Sequence, residues 1–210
     1  MIIRKSVLSA CAAMLFAVAP SYADELEKID AEVTQRVGQG LVELFNKETK
    51  DPQVKFEGNP EKAVGLHLER EGIIMVPIKT LKEGELDPAI DSENGAGLCY
   101  IFMSKEFNPL VDGKPADPKK LRTVKFDDHE GNSREATALL VTARRIDGED
   151  YRLYVFGADK KPLVESRWGE STANTEGDLA MTVTEAKDKK ANLVLTLYNK
   201  YSASFEIAHK

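Results

Sequence analysis

The run Leu98-Cys99-Tyr100-Ile101-Phe102-Met103 is apolar at every position. In an extended strand, Leu98, Tyr100 and Phe102 would face one way and Cys99, Ile101 and Met103 the other, because successive side chains alternate. A strand that is apolar on both faces has to be covered on both, so this run predicts an inner strand sandwiched between two layers. The rest of the chain must supply those layers.

One layer is legible near the N-terminus. In DELEKIDAEVTQRVGQGLVELFNKETK, apolar residues recur at Leu26, Ile29, Val33, Val37, Leu41, Leu44 and Phe45, steps of three and four that trace one stripe of a helix over 24–50. Asp24, Glu25 and Glu27 near its start and Lys47 and Lys50 near its end suit the helix dipole. Gly38 and Gly40 interrupt it, each at a cost of about 1 kcal/mol relative to Ala, and mark a bend or a close packing contact.

From residue 63 onward the period changes to two. Val64, Leu66 and Leu68 alternate with Gly65, His67 and Glu69, and Ile73 to Ile78 follows a turn at Arg70-Glu71-Gly72. Pro77 argues for an edge strand, since proline cannot donate to a ladder. Residues 80–96 and 105–120 read as loops, the second an irregular proline-rich excursion around a Val-Asp-Gly-Lys turn. Strands at Leu121–Phe126, Glu135–Ile146, Tyr151–Phe156, Leu163–Trp168, Leu179–Thr184 and Leu193–Leu197 follow, and Ala203, Phe205 and Ile207 close the chain. Asp147-Gly148 signals a hairpin and Asn199-Lys200 a tight two-residue turn. About ten strands at spacings suited to antiparallel pairing are expected. The fold class is α+β, mostly antiparallel β. One N-terminal amphipathic helix packs on a large antiparallel sheet that is either doubled into a sandwich or curled into a partly closed barrel.

The first 23 residues are set apart. Arg4 and Lys5 precede an apolar stretch from Val7 to Ala19, Pro20 breaks it, and Ser21-Tyr22-Ala23 offers small residues before Asp24. This is the layout of a signal peptide over 1–23, with a single globular domain over 24–210. Leu8-Ser9-Ala10-Cys11 resembles a bacterial lipobox, but it interrupts the hydrophobic region instead of following it. A periplasmic or secreted protein is expected, with no stable membrane insertion after cleavage. Of two cysteines, only Cys99 would remain, so no internal disulfide is available. The chain carries a net charge of −6, and loss of Arg4 and Lys5 makes it more acidic. No nucleic-acid partner is expected, since phosphate affinity needs clustered Lys and Arg.

The chemistry-bearing residues do not form a motif. His67 reads as a surface residue and His209 as part of a frayed end. Asp127-Asp128-His129-Glu130-Gly131-Asn132 has the composition of a calcium loop but not its spacing, because Gly131 falls one place early. No histidine follows Cys99 before His129, so a compact copper loop is missing. Gly169-Glu170-Ser171-Thr172-Ala173 falls short of a nucleophile elbow. No catalytic residue, metal site or cofactor is assigned. The ligand-binding candidates are Asp112, Lys114, Asp127, Asp128 and His129, on or beside the irregular segments. The expected function is that of an exported, non-catalytic binding or accessory protein. A carrier of a hydrophobic molecule and a hydrolase with a dispersed site are the alternatives. Cys99 is expected to be a buried hydrophobe.

Overall fold

The computed structural model describes residues 26–82, 88–127 and 132–210. The signal-peptide reading, Cys11, Asp128 and His129 therefore lie outside the described residues. The helix α1 spans Ala31–Glu48. The strands are β1 (Glu27–Lys28), β2 (Val64–Leu68), β3 (Glu71–Pro77), β4 (Ala96–Ser104), β5 (Phe107–Val111), β6 (Lys114–Pro115) and β7 (Arg122–Asp127). They continue as β8 (Ser133–Asp147), β9 (Asp150–Phe156), β10 (Val164–Arg167), β11 (Gly169–Glu170), β12 (Leu179–Lys187), β13 (Lys190–Leu197) and β14 (Tyr201–His209).

Two antiparallel sheets form, and neither closes into a barrel. The first has the order β1-β2-β3-β4-β8-β9-β10, with β7 also paired to β8; the second has the order β12-β13-β14-β5-β6, with β11 beside β14. Strands β7 and β9 pair with successive stretches of the long β8. The layers are α1, first sheet, second sheet. One core cluster lies between the sheets and includes Met75, Cys99, Ile101, Met103, Leu139 and Val141 from the first and Phe107, Leu193, Leu195, Phe205 and Ile207 from the second. The other joins Leu41, Val42 and Phe45 of α1 to Ile74, Val76, Tyr100, Phe102 and Phe156. The doubly apolar strand β4 is inner and covered on both sides, as its residues require.

Leu98 departs from the simple alternation. The pairing of β4 with β8 shifts register between Gly97 and Cys99, so Leu98 is an extra, bulged residue and joins Cys99 in the inter-sheet cluster. At Gly97 the space for a side chain is taken by the ring of Phe56, which a Cβ there would strike.

The helix begins later than its stripe suggests. Asp30 takes the capping position, and its carboxylate accepts from the amides of Glu32 (2.9 Å) and Val33 (3.1 Å). The preceding Glu27–Lys28 pairs with β2, and the Ile29 amide donates to Gly65 O at 2.9 Å. The buried face is also rotated from the expected stripe. Thr34, Gly38, Leu41, Val42 and Phe45 are buried, whereas Val33 is 39% exposed. Small residues at 34 and 38 allow the helix to sit close on β2 and β3; a Cβ at Gly38 would lie 3.1 Å from Val76 Cγ2.

Four further expectations are corrected. Pro77 is not on an edge strand: β3 lies between β2 and β4. The proline is the last residue of β3, beyond the stretch paired to β2, which ends at Met75, so no ladder amide is lost there. Residues 105–120 are not a free loop. Pro109 pairs with Ile207, and Phe107, Leu110 and Ala116 are buried, so this segment is the β5–β6 edge of the second sheet. His209 is not frayed: its Cα partner is Phe107, and the two rings lie 5.1 Å apart. The turn near the C-terminus spans Tyr198, Asn199 and Lys200, with Tyr198 and Asn199 at positive φ.

Candidate functional site

Among the described residues singled out in the sequence, Asp112 and Lys114 do not converge with Asp127. Asp112 and Lys114 belong to the β5–β6 hairpin, where Asp112 (φ 52°) and Gly113 (φ 71°) make the turn and both charged side chains are exposed. Lys190 Nζ donates to Gly113 O at 3.0 Å, which ties this hairpin to the second sheet. Asp127 ends β7 in the first sheet and is exposed. Asp112 and Asp127 thus sit on different sheets.

The nucleophile candidates are a buried cysteine and a serine in a polar segment. Cys99 is fully buried, and burial pushes its thiol far above the ordinary range. Ser171 Oγ accepts from the Ala173 amide. His67 lies in an open cleft of about 320 Å³ lined by Lys28, Asp30, Glu69, Arg70 and Glu71 among others. Its Nε2 is 3.7 Å from Glu27 Oε2 and its Nδ1 3.3 Å from Glu69 O. The Asp30 carboxylate there is already committed to the helix cap. Among the described residues, no three His, Cys, Asp or Glu side chains are grouped to hold a metal ion.

A different constellation is built into the first sheet. Arg144 of β8, Arg152 of β9 and Arg167 of β10 are consecutive cross-strand partners. Their face is set by Tyr154, two residues beyond Arg152, which belongs to the helix-side cluster. Three arginines therefore stand in one row on the helix-side face, where like charges directly opposite one another are unfavourable.

Carboxylates offset part of that row. Asp150 Oδ2 accepts from Arg152 Nη2 at 2.9 Å, Asp150 Oδ1 lies 3.2 Å from Arg167 Nε, and Glu165 Oε1 lies 4.0 Å from Arg152 Nη1. The hydrogen bond to Asp150 raises Arg152 above its ordinary range. Arg144 is different. Its guanidinium lies over the Tyr154 ring, 5.9 Å from the centroid, and Nη1 donates to the Tyr154 hydroxyl at 3.3 Å. Among the described residues no carboxylate comes within ion-pair distance of it. Arg144 Nε, Arg152 Nε and Asp150 Oδ1 are three of the six buried side-chain atoms that find no hydrogen-bond partner among the described residues.

Neighbouring segments wall the row. Thr142 Oγ1, two residues before Arg144, donates to Asn94 O at 2.6 Å, and Asn94 Nδ2 donates to Gln53 O at 3.1 Å. On the other face, Arg145 makes two hydrogen bonds to Asp91, at 2.7 and 2.5 Å. Half of the arginine signal was present in the sequence, as Arg144-Arg145 before the Asp147-Gly148 turn and Arg152 after it. An unbroken hairpin pairing Asp147 with Asp150 would set Arg145 opposite Arg152. The register shift between Arg145 and Asp147 substitutes Arg144.

Comparison with models of protein families, with curated proteins and with solved structures finds no match for this chain.

Proposed function

We propose that this chain is an exported, non-catalytic binding or accessory protein that receives its ligand on the arginine-bearing part of the first sheet's helix-side face. The observation that carries the reading is the cross-strand row Arg144, Arg152, Arg167, in which Arg144 is left without a carboxylate among the described residues. Like charges opposed across strands work against folding, and groups retained against stability are a mark of binding surfaces. The buried apolar side chains that both sheets contribute to the layer between them support a surface site over an enclosed one. The apolar N-terminal stretch and the small residues before Asp24 support export.

Two measurements test this reading. Arg144→Thr is expected to raise the thermal midpoint, with a gain of about 0.2–1 kcal/mol that shrinks as salt is added. A lower midpoint would make Arg144 a structural residue and remove the surface from the proposal. N-terminal sequencing of the protein from the periplasmic or secreted fraction is expected to begin at Asp24; recovery only from the cytoplasm with residue 1 intact would refute export.

A further inference from the structure

The row contains two gaps, and the described chain fills only one. Between Arg152 and Arg167 the Asp150 carboxylate bonds one arginine at 2.9 Å and approaches the other at 3.2 Å. Between Arg144 and Arg152, which are likewise direct cross-strand partners, no carboxylate of the described residues stands. From the occupied gap to the unoccupied one is a single strand spacing, about 4.8 Å.

We infer that the gap between Arg144 and Arg152 takes a carboxylate supplied by the ligand, in the manner in which Asp150 occupies its twin. The inference rests on the reading of this face as a ligand surface and names the chemistry it recognises. A guanidinium presents its donors in a planar fork that matches the two oxygens of a carboxylate. The stacking of Arg144 on Tyr154 holds that fork in place before a ligand arrives, which lowers the ordering cost of binding. Of the other acids of this face, Glu165 lies on β10, one strand beyond Arg152, and Asp147, the cross-strand partner of Asp150, makes no ion pair with Arg144.

The probes are a blocked tetraglutamate peptide, a blocked tetraglutamine control and succinate, titrated calorimetrically into the native protein at low ionic strength. Tetraglutamate is expected to bind at least ten-fold more tightly than tetraglutamine. Arg144→Gln should weaken it at least ten-fold, and Arg144→Lys, which keeps the charge but loses the fork, should recover only part of that loss. Asp150→Asn should strengthen binding several-fold by removing the carboxylate charge that competes for Arg152 and Arg167. Succinate binding that depends on Arg144 assigns the site to small carboxylic acids, and binding of the peptide alone assigns it to acidic polypeptide segments. Equal affinity of the native and Arg144→Gln proteins for tetraglutamate, or no preference over tetraglutamine, overturns the inference. If Arg144→Thr raises the thermal midpoint while no probe binds, the carboxylate assignment falls and the surface reading stands. If the midpoint falls, both fall. Circular dichroism of each variant separates lost binding from lost folding.

Discussion

Two parts of one sheet face differ sharply. Toward β3, β4 and β7 the helix-side face is made of Ile74, Val76, Tyr100, Phe102 and Val124, and α1 lies on it. Toward the β8–β9 turn the same face carries Arg144 and Arg152, with Arg167 alongside on β10. The helix packs on β2, β3 and β7, whereas the arginine row lies on β8, β9 and β10 beside the β8–β9 turn. Under the helix this face is apolar except for Arg122, whose guanidinium lies over the Phe45 ring. The proposed binding surface is the part of the sheet that its cover does not span.

The largest test of that contrast is Phe45→Ala. Phe45 is 1% exposed and meets Tyr100 edge-on at 5.1 Å, so its loss is expected to cost about 3–5 kcal/mol in urea unfolding. The opposite and much smaller change expected for Arg144→Thr marks the bare part. Separate transitions for the helix and the sheets in the Phe45→Ala protein would break the comparison, because the helix layer would then be an independent attachment.

Gly97→Ala comes next. Its new Cβ would collide with Phe56, so a loss of about 1–3 kcal/mol is expected, partly recovered when Phe56→Leu is added. Additive effects in that double-mutant cycle would show that the two residues do not share the strain.

The two helix glycines sharpen the picture on a finer scale. A Cβ added at Gly40 would meet no heavy atom within 4 Å, so Gly40→Ala is expected to stabilise the protein by up to about 1 kcal/mol. A Cβ at Gly38 would meet Val76 at 3.1 Å, and Gly38→Ala should gain less or lose stability. Equal gains at both positions would mean that the helix does not sit as close to β3 as described.

The smallest effect concerns Asp91. Hydrogen bonding to Arg145 holds its carboxyl below the usual range, so the pair stabilises the protein above the ordinary carboxylate pKa and loses that contribution as pH falls through the lowered value. The Arg145 and Asp91 side chains are substantially exposed, at 36% and 55%, so Asp91→Asn should lower the melting midpoint only slightly at pH 7, less in high salt and not at all in strong acid. A deficit that persists in acid would point to a contact other than the ion pair.

Much of the fold was legible because it rests on local periodicity. The inner position of β4, the β8–β9 hairpin, the helix and the closing strand β14 all follow from residue spacing. The readings that failed depended on what lies opposite. Residues 105–120 look like a loop because Pro109 and Pro115 interrupt the pattern, yet Pro109 is tolerated in a strand that pairs with the chain's last residues, about a hundred positions away. The arginine row was hidden for a related reason. Its members come from three strands, and one register shift decides whether Arg144 or Arg145 faces Arg152.

By itself the sequence determined that β4 needs two covers, that a helix and a set of antiparallel strands are available to provide them, and that Cys99 is buried. These are consequences of which side chains avoid water and of how often they recur, and both are properties of neighbouring residues. Only the tertiary structure decided which cover lies on which face, where α1 starts, and which charges meet. Those outcomes depend on a cap at Asp30, bulges at Leu98 and Ile146, and pairings between distant strands, where one extra residue reverses the direction of every side chain beyond it.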